Sequence, residues 1–102
     1  MDTKRKKKLL ATGWKSGGAA DFLGLTREEA ELIELKISLA RLLQESRKRK
    51  NITQTKLAEL INSSQSRVAK MEKSDPSVSL DLIVKSLFAL GLKRSALKRA
   101  FA

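Results

Sequence analysis

A chain of 102 residues holds enough material for one compact core and too little for two, because smaller cores bury too little surface to offset the entropy of ordering. Lys and Arg number 22 against 11 Asp and Glu, a formal charge of +11 that makes a polyanion the natural partner. With no Cys and no His, disulfides, zinc fingers, thiol nucleophiles and imidazole bases are excluded together.

Residues 1–18 open with five consecutive bases, Lys4 to Lys8, and close on Gly17 and Gly18. Such a polar segment does not gain enough from burial to order itself, so it reads as a flexible basic arm. An arm of this kind adds phosphate contacts or lies in a minor groove; a tail with no defined site is the equal alternative. Leu9 to Ala11 is too short an apolar run for a signal-peptide core or a membrane span, so the expectation is a cytoplasmic chain with no membrane partner.

Residues 19–102 read as a single all-α domain, since aromatic content is only 4% and Leu, Ile, Val and Ala recur at helical spacing without sustained alternation. Thr26 followed by Glu29 is a capping box, and the helix it starts can run to about Lys50 because no Gly or Pro intervenes. Two apolar stripes share this helix, Ala30, Ile33, Ile37 and Ala40 beside Leu32, Leu35, Leu39 and Leu42, with Leu43 between. That is wider than one core contact needs, so its N-terminal half either packs on a second subunit or another protein, or lies between the tail and the domain. Glu28, Glu29, Glu31 and Glu34 read as the solvated start of the helix rather than as a catalytic or metal-binding group.

Thr53 or Gln54 opens a second helix, and Asn62 closes it by tolerating a left-handed backbone. Ser63 and Ser64 offer the cap of a third, which ends near Glu72 before the Ser74-Asp75-Pro76 breaker. Ser79 caps a fourth, with Val78 and Ile83 as its hydrophobic staple and Gly91 after its end. Lys93 to Phe101 forms a short last helix with Leu92, Ala96, Leu97 and Ala100 inward.

Between Gln54 and Met71, Leu57, Ala58 and Ile61 face in from one short helix and Val68 and Met71 from the next, with small Ala58 where the two approach most closely. This is the helix-turn-helix pattern. Burying Val68 and Met71 turns Gln65, Ser66 and Lys70 outward with Arg67 at their flank. Gln can pair with adenine N6 and N7, Lys can donate to guanine O6 and N7, and Ser serves either way, so these three are the candidate base readers. Thr53, Gln54, Ser64, Arg67 and Lys73 are candidates for the DNA backbone or for mixed contacts. An ordinary solvated polar face is the alternative. Residues 47 to 73 carry eight bases against two acids, so the positive field is centred here, whereas residues 21 to 34 carry five acids against one base.

The stretch ITQTKLAELINSSQSRVAKMEKSDPSVSLDLIVKSLFALG, Ile52 to Gly91, resembles the phage-repressor and Cro-like helix-turn-helix proteins of the XRE family. The resemblance implies a five-helix lambda-repressor-like bundle, dimeric operator binding and repression, with no cofactor. It implies phosphate contact by Gln54, base contact by Gln65, Ser66 and Lys70, and a structural ion pair of Arg47 with Glu72. The TQ-xx-LA and SQSRVAKME elements, with ADFLGLTREEAELIEL before them, resemble the HigA-like antitoxins. The second implied function is therefore an antitoxin that binds a RelE/HigB-like toxin and autoregulates its operon. Asn62 stands where such proteins usually have a turn glycine.

Overall fold

The computed structural model describes residues 24–101, so the arm expected at 1–18 lies outside the described residues. Among those described the chain is wholly helical: α1 (Arg27–Arg49), α2 (Gln54–Leu60), α3 (Gln65–Glu72), α4 (Leu80–Ala89), and a 3-10 turn (Arg94–Leu97) that leads into α5 (Lys98–Phe101). The all-α, five-helix architecture read from the sequence is the one observed. The last element differs in detail, because it begins as the 3-10 turn before continuing as α-helix. Leu97 is buried there, and Leu92, Ala96 and Ala100 are half-buried.

The described residues fall into two units, the first ending at Leu35 and the second beginning at Lys36. In the first, the capping box forms in both directions: the Glu29 amide donates to Thr26 Oγ1 at 3.1 Å, and the Thr26 amide donates to Glu29 Oε1 at 3.2 Å. Two otherwise orphaned donors of the helix start are thereby satisfied. Ala30 is buried, Ile33 and Leu35 are half-buried, and Leu32 remains 54% exposed.

In the second unit, Leu39 and Leu43 of α1, Leu57 of α2, Val68 and Met71 of α3, and Ile83 and Leu87 of α4 are all excluded from water, with Val78 and Leu90 beside them. Each of α2, α3 and α4 starts on a hydroxyl cap: Thr53 accepts from the Lys56 amide, Ser64 from that of Arg67 and Ser79 from that of Leu82. Val78 and Ile83 bracket the last of these caps and are both buried, as a hydrophobic staple requires.

Four helices end in one way. At Asn51, Asn62, Ser74 and Gly91 the backbone turns to φ of 56°, 55°, 55° and 95°, and the next residue's amide reaches back five residues to a carbonyl of the last helical turn. This is the Schellman arrangement, which satisfies carbonyls that the helix itself cannot. Asn suits the left-handed position because its short polar side chain lowers the steric cost, so Asn62 makes the turn between α2 and α3 without a glycine. Beyond α3, Lys36 Nζ of α1 donates to the Asp75 carbonyl at 2.9 Å and ties down the following turn. Burial lowers the Lys36 pKa, and nearby Asp75 partly opposes that shift.

Candidate nucleic-acid interface

α2 and α3 pack directly on each other, and small Ala58, 3% exposed, lies in the buried seam with Leu57, Val68 and Met71. Val68 and Met71 are three residues apart on α3 and both fully buried, which sets the face of the helix that points inward. Gln65, Ser66, Arg67 and Lys70 are therefore left in water, and the first turn of α3 contains no acid. Thr53 and Ser64 are exposed as well, and Lys73 is exposed at the C-cap of α3.

The hydroxyls of Thr53 and Ser64 accept amide protons as helix caps, so each keeps its own proton to donate. Ser64 Oγ also lies 3.3 Å from Ser66 Oγ, which links the cap to a candidate base reader. Lys56 forms a 3.5 Å ion pair with Glu59, and both side chains are more than half exposed, so the pair is worth little.

Behind the exposed face runs a connected set of hydrogen bonds. Arg47, near the end of α1, donates from Nη1 to the Ile52 carbonyl at 2.8 Å and from Nη2 to Glu72 Oε1 at 3.1 Å, while its Nε donates to Glu72 Oε2. Glu72 in turn accepts from Gln54 Nε2 at 3.1 Å, and Gln54 Oε1 accepts from Gln65 Nε2 at 2.6 Å. The Glu72 side chain is 1% exposed and that of Arg47 11%, so the pair is held away from water and is charge-assisted at two points. The hydrogen bond to Glu72 raises the Arg47 pKa above its already high ordinary value, against the lowering effect of burial.

Gln54, expected from the sequence at the DNA backbone or in mixed contacts, has two internal side-chain partners and one N–H left over. Joining Gln54 to Gln65 depends on how α2 crosses α3, which the spacing of single residues along either helix does not disclose.

The exposed, acid-free start of α3, supported from beneath by α2, is the arrangement of a helix-turn-helix reading head. A helix-turn-helix family model matches residues 43–97, which contain α2, α3, α4 and the 3-10 turn. The chain belongs to this family, the XRE type of DNA-binding proteins. Comparison with curated proteins and with solved structures gave no match. No helix among the described residues is long and apolar enough to cross a membrane.

Proposed function

We propose that this protein is a transcriptional repressor that binds a two-part operator in double-stranded DNA as a homodimer. α3 lies in the major groove, with Gln65, Ser66 and Lys70 on base edges. Thr53, Gln54, Ser64, Arg67 and Lys73 meet phosphates or make mixed contacts, and the bases of residues 1–18 add to the electrostatic attraction. The observation that carries this reading is the exposed first turn of α3, free of acids and with Gln65 held in one orientation by Gln54.

Two-fold symmetry then sets half-sites about 34 Å apart, one helical turn of DNA. Competition distinguishes an operator reader from a generic polyanion binder. A duplex selected by the protein should resist displacement by random DNA of equal length, and equal displacement by both contradicts the proposal. Deleting residues 1–8 should flatten the dependence of affinity on salt, because fewer counterions are released on binding. An unchanged slope would remove the arm from the interface.

One observation favours the antitoxin reading as a second function. Leu32 stands 54% exposed on α1 with exposed Glu28 and Glu29 one turn before it, a surface suited to a basic protein. DNA binding would then be autoregulatory. Co-purification with the product of an adjacent toxin-like gene supports this reading, and failure of the two to associate removes it.

A further inference from the structure

We infer that Glu72, which does not itself reach the DNA-facing surface, sets which base Gln65 accepts, by fixing the direction of a hydrogen-bond relay that runs Gln65 to Gln54 to Glu72. The inference rests on the reading of Gln65 as a base contact and deepens it.

The direction follows from what each group can do. A carboxylate only accepts, and both Glu72 oxygens already accept from the buried Arg47 guanidinium. Gln54 can therefore face Glu72 only with its NH2 group, as observed at 3.1 Å. Its Oε1 is then turned toward Gln65, and an oxygen there requires a donor, so Gln65 presents its own NH2 group at 2.6 Å. What Gln65 keeps for a ligand is its Oε1 and one N–H, in fixed positions. That pair matches adenine, which offers the N6 donor and the N7 acceptor side by side in the major groove. Guanine offers two acceptors, O6 and N7, and leaves the Gln65 Oε1 facing an acceptor without a proton between them.

Without Glu72 both amides could rotate end for end and keep every internal bond, and Gln65 would then present NH2 to the groove. Glu72 is thus a positioning residue. Its carboxylate removes one of two otherwise equivalent amide orientations, and Arg47, 25 residues earlier in the chain, holds that carboxylate in place through Nε and Nη2. 

Site selection from a random duplex pool tests this with the full chain and with the Glu72→Gln, Gln54→Met, Gln65→Ala and Lys70→Ala variants. Preference among bound sequences is a ratio, so it is independent of how much of a variant is folded. The position that loses its preference in Gln65→Ala should be an adenine in the parent protein. At that position Glu72→Gln should lower the adenine-over-guanine ratio by on the order of tenfold, the size of one good bidentate discrimination, while the position lost in Lys70→Ala keeps its preference. Gln54→Met, which leaves the Arg47–Glu72 pair intact, should broaden the same position and so serves if Glu72→Gln does not fold. Retention of the full adenine preference in Glu72→Gln, or in Gln54→Met where that variant must serve, overturns the inference. If Gln65→Ala changes no position, base reading by Gln65 fails first and the relay falls with it.

Discussion

Arg47→Met should destabilise the fold by about 3–5 kcal/mol, the cost of leaving a buried charge without its counter-ion. Glu72, 1% exposed at its side chain, would retain only the Gln54 amide, and the Ile52 carbonyl would lose its guanidinium donor. The loss arises from the unpaired carboxylate rather than from the worth of the ion pair itself, because gathering two charges from water is expensive to begin with. Replacing both residues, Arg47→Met with Glu72→Met, should therefore recover most of the stability. Urea unfolding of the two variants at one pH and temperature measures both. A cost below about 1 kcal/mol for Arg47→Met would mean that the pair is solvated in the manner of an exposed salt bridge.

Gln65→Ala and Lys70→Ala should each weaken binding to a selected operator by about 1–3 kcal/mol while leaving binding to random DNA nearly unchanged. Both side chains are exposed on α3, and neither supports the core, which Val68 and Met71 form from the opposite face. The specific and nonspecific affinities separate base contacts from phosphate contacts. Base contacts appear only in the specific term, whereas a phosphate contact lowers both terms and reduces the salt slope. Equal loss on every sequence would move Gln65 or Lys70 to the backbone class. For Gln65, part of the effect is entropy already removed in the free protein, since Gln54 holds its amide before DNA arrives.

Much of the fold was legible because helix starts are local chemistry. Thr26 with Glu29, Thr53, Ser64 and Ser79 each announce a helix through one side chain and a backbone amide a few residues away. Ends were legible where a residue type favours the left-handed turn, at Asn62 and Gly91. The ends of the first and third helices, expected near Lys50 and Glu72, fall there as well. The left-handed residues that make those two turns, Asn51 and Ser74, were not legible, since a serine gives little signal for that conformation and Asn51 follows a run of helix-forming bases.

The candidate site divides in the same way. Which residues of α3 face outward followed from the spacing of Val68 and Met71, a local matter of helical period. The bonds of Gln54 to Glu72 and Gln65 join residues 18 and 11 positions apart, and they exist only because α2 and α3 pack on each other. The Arg47 and Glu72 pair came into view through family resemblance, since a separation of 25 residues gives no periodic signal.

The central claim, that α3 meets DNA with its first turn, is tested most directly by titrating the isotopically labelled protein with its selected duplex and following backbone amide resonances. The account predicts that the largest shifts fall on Thr53, Gln54 and the stretch from Ser64 to Lys70, with the segment from Glu28 to Leu35 little changed by the DNA itself. Binding that leaves Ser64 to Lys70 unmoved and shifts other helices instead would contradict it.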